Sequence, residues 1–398
     1  MKFLTDPLLQ VHEYNEVLDN IRNYTIPVNI TGPSDSQKAH IVYSICSHLG
    51  CRGLFITFNE MQARKMYEDF SFFLGDDVVF FPTKEIMLHD VEAKSYDAVF
   101  QRIEALGRIV DGNWKVIVTS AEAVAQRLVP VEQFKDSVID VELGGKLDIK
   151  EFSQKLVSMG YERVTVVEGK GQFCIRGGIV DVFSVDSEQA VRIELFDDEV
   201  DSVRSFDVQS QRSVDKLKRV RILPAREIIY PPEKKEFILK CIENGLREYI
   251  AAAEKSGIGH LSQIEMKIRT DMEKLENEYY FPGIDRYIPY IIESPSDISE
   301  YAGDAVIFMD EPVRFAQRME NILLEHHEAC KSLMEKGQIL PKSFEIYYDT
   351  DSLNQRLERK RIVNLNTIPV SNQRLKYSKS YSIPSKSVTS YQGHFDLL

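Results

Sequence analysis

At 398 residues the chain is too long for one ordinary core and implies two or three domains, and 43% hydrophobic residues suffice to bury them. A formal net charge of -13 excludes a surface that grips phosphate backbones broadly, so any nucleic-acid role is local. Five scattered cysteines without C-x-x-C spacing argue against a disulfide framework or thiolate metal cage, and with no basic-then-apolar leader and no apolar run of membrane length the expectation is a soluble, cytoplasmic chain without membrane contact.

The first third alternates short apolar runs with helical periodicity: "IPVNIT", a helix through Ile41, Ile45 and Leu49, "GLFITF", "MQARKMYEDFSFFL", "DVVFFP", a helix around "AVFQRIEALGRIV", and "WKVIVTS". Such alternation predicts a parallel sheet covered by helices on both faces, with ligands at the carboxyl ends of its strands. "NITGPSDSQKAHI", Asn29 to Ile41, lies at such an end and nearly spells a phosphate-binding loop. Aligned on G-x-x-x-x-G-K-[ST], Gly32 takes the first glycine, Gln37 the second, Lys38 the lysine and Ala39 the hydroxyl position. Gln37 adds a side chain where the backbone must curl around phosphate, and Ala39 offers magnesium no oxygen. An ordinary strand-turn-helix with a polar turn fits the same residues.

From about Gly160 the pattern changes to period two broken by glycines, "ERVTVVEGKGQFCIRGGIVDVFSV" and "QAVRIELFDDEVDSVRSF", which reads as antiparallel hairpins. The expected organisation is a helicase-like α/β domain at 1–127, an inserted β-rich α+β domain at 128–212, and the rest of the α/β domain at 213–398. Along "VRIELF", Val191, Ile193 and Leu195 share one side, while Arg192, Glu194 and Phe196 share the other; Arg176 joins the second set from "QFCIRGG". Arginines around an exposed aromatic are favoured at protein interfaces. A solvated sheet face with one stray phenylalanine is the plainer alternative, and the neighbouring acids Asp197, Asp198, Glu199 and Asp201 disfavour a phosphate backbone as partner.

Charged helices follow from Glu233 to about Asn277. "FPGIDRYIPYI", Phe281 to Ile291, fits core packing better than stacking on bases. "GDAVIFMDEP" is an apolar strand ending in Asp310 and Glu311, the arrangement by which ATPases hold Mg²⁺, although a strand leaving into an acidic turn looks the same. His326 and His327 read as a solvated helix face. The last stretch, "SKSYSIPSKSVTSYQGHFDLL", is polar, carries no capping element and looks cut.

The run "GQFCIRGGIVDVFSVDSEQAVRIELFDDEVDSVRSFDVQSQRS", with "LPAREI" after it, resembles the amino-terminal module of the bacterial transcription-repair coupling factors (Mfd), which is similar to the first domains of the excision-repair helicase UvrB. The resemblance extends over essentially the whole chain. It implies an inserted domain that binds UvrA and a sheet that has lost ATP hydrolysis. Arg176, Arg192 and Phe196 are the UvrA-contacting positions it carries over, joined by Glu194 and by Arg163 in "GYERV". It also implies that "FFPTKEIMLHDVEAKSYDAVFQ", with Tyr96 as its single tyrosine, lacks the aromatic hairpin by which UvrB clamps DNA. The chain is then an amino-terminal fragment that needs no cofactor and is not itself an enzyme. RNA polymerase, double-stranded DNA, ATP and Mg²⁺ belong to missing parts of the parent. The alternative is an ATP-dependent excision-repair helicase of the UvrB type, disfavoured by Gln37 and Ala39.

Overall fold

The computed structural model describes residues 2–88, 96–255, 261–277, 280–369 and 377–384. The segment 89–95, within the region argued above to lack a DNA-clamping hairpin, lies outside them, as does 385–398 of the Ser-rich tail.

Strands β1 (Val28–Thr31), β2 (Gly53–Thr57), β3 (Val78–Phe81) and β4 (Val116–Ser120) come from the alternating first third. The β-rich region supplies β5 (Ile139–Glu142), β6 (Glu162–Arg163), β7 (Gln172–Arg176), β8 (Ile179–Val182), β9 (Ala190–Phe196), β10 (Glu199–Phe206), β11 (Ser213–Leu217) and β12 (Arg219–Ile222). Three strands return late: β13 (Val306–Asp310), β14 (Ile362–Asn366) and β15 (Lys379–Ser382).

Early and late strands form one seven-stranded parallel sheet in the order β15-β1-β14-β13-β2-β4-β3. Its pleat feeds two cores: Phe55, Val116, Val118, Phe308 and Val363 enter one, and Leu54, Ile56, Ile117, Ile307 and Met309 the other. Burial on both faces is what the uninterrupted apolar runs require. Two elements depart from the sequence expectations. β14, "IVNLN", was not anticipated, because two asparagines break its apolar run; in the fold Asn366 Nδ2 donates to Asn29 Oδ1 at 2.7 Å inside the sheet. The polar "KSYS" belongs to the stretch read as polar and uncapped, to which no strand was assigned. It is an edge strand, held by backbone pairing to β1 and by the buried Tyr381, whose hydroxyl accepts from Asn20 at 2.7 Å.

The second sheet runs β11-β10-β9-β8-β7-β6, antiparallel except for the β6-β7 pair. β11 and β12 pair with β10 and β5, so strand pairing in this region continues to Ile222. Val180, Val182, Val191, Ile193, Val200 and Val203 point into the larger core, which is continuous with one face of the parallel sheet. Gly177 and Gly178 close the β7-β8 hairpin: Gly177 has φ +61°, and a Cβ on Gly178 would stand 3.0 Å from the Leu195 carbonyl oxygen.

Candidate functional site

The same pleat that buries the valines of β8 and β9 turns Asp181, Arg192, Glu194 and Phe196 to the opposite side. Phe196, at the β9-β10 turn, is 79% exposed. Arg176 Nη2 donates to Asp181 Oδ2 at 2.6 Å, while Arg192 donates through Nε to Oδ1 at 2.7 Å and through Nη2 to Oδ2 at 2.9 Å. The Arg192 guanidinium also lies 4.7 Å from the Phe206 ring centre. Its hydrogen bonds with Asp181 outweigh partial burial and push its pKa up, so it stays charged. Glu194 accepts from Ser202 Oγ at 2.6 Å and pairs with Arg204 at 3.4 Å. Beyond Arg192 this face is covered: Val167, Cys174, Phe183, Ala190 and Phe206 form a small core of their own.

The structure thus brings Arg176, Arg192, Glu194 and Phe196 to one face. Arg163 it does not: β6 pairs in parallel with β7, Arg163 stands beside Phe173, and Phe173 points into the core on the other side of the sheet. Asp181 is the residue that reasoning from sequence missed. Its signal was present in "GGIVDVF", where a carboxylate takes an outward position between two inward valines.

The second candidate site lies at the carboxyl ends of β1, β13 and β2. Gly32 has φ +106°, and a Cβ there would meet the Ile383 carbonyl oxygen at 2.8 Å as the chain leaves β15. Gln37 turns back onto the helix start: its Oε1 accepts from the Ser34 backbone N–H at 3.1 Å and from Ser34 Oγ at 3.0 Å. Lys38 is fully buried, and its ammonium donates to Asp310 Oδ1 at 2.6 Å and Glu311 Oε1 at 2.7 Å. Asp310 also accepts from Thr57 at 2.8 Å, and Glu311 accepts from the Thr367 N–H at 2.8 Å. Glu311 holds a left-handed backbone, φ +48°. Burial would lower the Lys38 pKa, but the Asp310 charge and both carboxylate hydrogen bonds outweigh it and raise it. Burial likewise works against charge on Glu311, and is overcome by the bonds from Lys38 and Thr367, which hold its carboxyl below the usual range. Ala39 packs in the core. The sequence reading brought Lys38, Asp310 and Glu311 toward one sheet; in the fold they are in direct contact.

His326 corrects the sequence expectation. It is buried, not solvated: Nε2 lies 3.2 Å from the Ser343 carbonyl, and the ring packs edge-on to Tyr347. His327, beside it, is exposed.

Among known proteins, the UvrB interaction domain matches residues 139–228, the region that contains β5 to β12. The transcription-repair-coupling factor of Bacillus subtilis (strain 168) is 31% identical over 316 residues, 78% of this chain and 26% of that protein. The transcription-repair-coupling factor of Staphylococcus aureus (strain USA300) is 28% identical over 380 residues, 93% of this chain and 31% of that protein. The chain therefore spans between a quarter and a third of the curated relatives it matches. Sheet architecture, an internal match to the UvrB interaction domain and similarity over 78% to 93% of this chain together place it among the amino-terminal, UvrB-like modules of the transcription-repair-coupling factors.

Proposed function

We propose that the chain is a recruitment module whose outward β8-β9 face captures UvrA, and that the parallel sheet serves as its scaffold. One observation carries the reading: within the matched UvrB interaction domain, the arginine pair and an aromatic ring 79% exposed share one sheet face. Aromatic and arginine side chains dominate interface energetics, and a ring held in water by a rigid hairpin is ready to be buried by a partner. In this reading the parent protein is an ATP-driven DNA translocase that releases RNA polymerase stalled at a lesion, and this module delivers UvrA to the damage.

The chain itself is proposed to be without ATPase activity. Three features support this: the Lys38 ammonium is engaged by two carboxylates, Gln37 caps its own helix, and Ala39 brings no hydroxyl. Titration of purified UvrA into the chain tests the docking site. Arg192→Ala and Phe196→Ala are each expected to weaken capture by about 2 kcal/mol or more, and unchanged affinity in the double variant would remove the assignment. An ATPase assay with and without DNA is expected to stay at background; turnover lost on Lys38→Ala would overturn the second part.

A further inference from the structure

Asp181 occupies the middle strand of the proposed docking face and is 1% exposed. The two guanidinium groups it holds come from the strands on either side, Arg176 from β7 and Arg192 from β9. One carboxylate shared by two cations leaves the cluster with a net positive charge directed outward. It also suppresses the repulsion that two neighbouring guanidinium groups would otherwise feel. Arg192 also touches Gln211 at 3.5 Å and lies 4.7 Å from the Phe206 ring centre, while Asp181 grips it through two nitrogens at 2.7 and 2.9 Å. Arg176, half exposed, takes its orientation from the Asp181 bond.

We infer that Asp181 is a positioning residue for partner docking: buried away from any partner, it fixes the spacing and direction of Arg176 and Arg192 before UvrA arrives. The inference rests on the docking reading given above. Pre-organised side chains bind more tightly because less rotamer freedom is lost on association. Arginine is suited to this role, because a planar guanidinium gripped through two nitrogens has a defined plane as well as a position.

Asp181→Asn keeps the shape and removes the charge, and the test uses the full chain with purified UvrA. Binding is expected to weaken about tenfold or more while the circular dichroism spectrum is retained. In combination with Arg176→Ala, the second substitution is expected to add less than its separate loss, because Asp181 acts through the arginines. Strictly additive losses would overturn the positioning role. So would wild-type affinity in Asp181→Asn alongside weak binding by Arg192→Ala, an outcome that leaves the docking face itself intact. Wild-type affinity in both Arg192→Ala and Phe196→Ala would instead remove the docking reading. Should Asp181→Asn fail to fold, nitrogen NMR of arginine-labelled wild-type chain decides. A slowly exchanging, rigid Arg192 Nε–H signal in the free protein is expected, and a freely rotating guanidinium that orders only on adding UvrA would contradict the inference.

Discussion

Lys38 and Asp310 are separated by 272 residues in sequence and by 2.6 Å in space. Asp310 is fully buried, and burial pushes its carboxyl up against the pull of Lys38 and the Thr57 hydroxyl. Removing the cation therefore strands a buried acid. Lys38→Met is expected to destabilise the chain by about 3 to 5 kcal/mol, read as a lower urea midpoint, and restoring neutrality with Asp310→Asn should recover part of that loss. An unchanged midpoint in Lys38→Met would show that the ion pair contributes nothing net. At this scale the outward placement of Arg192, Glu194 and Phe196 was legible, because a period of two assigns faces without knowledge of the partners. The grip of Asp181 on two arginines was not drawn from sequence, since it depends on which strands are neighbours. Arg163 was placed by resemblance alone, and a two-residue parallel strand sets it on the other side.

Among the elements, the helix Pro312–Glu335 shows how a buried group hides in a charged pattern. His326, Cys330 and Leu333 lie on its inner stripe, and His326 meets the Ser343 carbonyl and Tyr347. Burial lowers the His326 pKa, with the His327 charge acting in the same direction against hydrogen bonds that the imidazole donates to the 343–344 backbone. The unfolded imidazole, near 6.5, then takes up a proton before the folded one does. This contribution to stability is present above about pH 6.5 and is lost as pH falls through the lower folded value. Urea midpoints measured between pH 7.5 and 5.5 are expected to fall for the wild type and to fall less for His326→Gln; parallel slopes would contradict the assignment. Adjacent histidines among glutamates read as a wet helix face because sequence does not show what packs there. The same limit hid β15, whose polar residues join a sheet through their backbone.

The whole molecule is tied together by a buried charge network at the point where the β-rich region rejoins the parallel sheet. Glu227 accepts from Arg102 Nε at 2.7 Å and Nη2 at 3.2 Å and lies 3.9 Å from Lys84, which in turn reaches Asp285 at 3.3 Å. Burial alone would raise the Glu227 carboxyl, but Arg102 and Lys84 outweigh it and hold it below the usual range. Its contribution is thus present above the unfolded carboxyl value, about 4.3, and is lost as pH falls through the folded one. Glu227→Gln is expected to cost about 3 kcal/mol at neutral pH and to shift acid unfolding upward, both followed by circular dichroism; an acid transition identical to wild type would contradict the network's role. The alternation of strands and helices made the parallel sheet legible and the change of period made the β-rich region legible, whereas strand order and long-range charge pairing required the fold. If the β8-β9 face captures UvrA as proposed, and does so where UvrB would bind, competition between the two tests the proposal most directly. With UvrA held at a fixed concentration and UvrB bound to it, adding this chain is expected to displace UvrB, with Phe196→Ala displacing far less. A stable assembly containing UvrA, UvrB and this chain bound at separate sites would contradict the account.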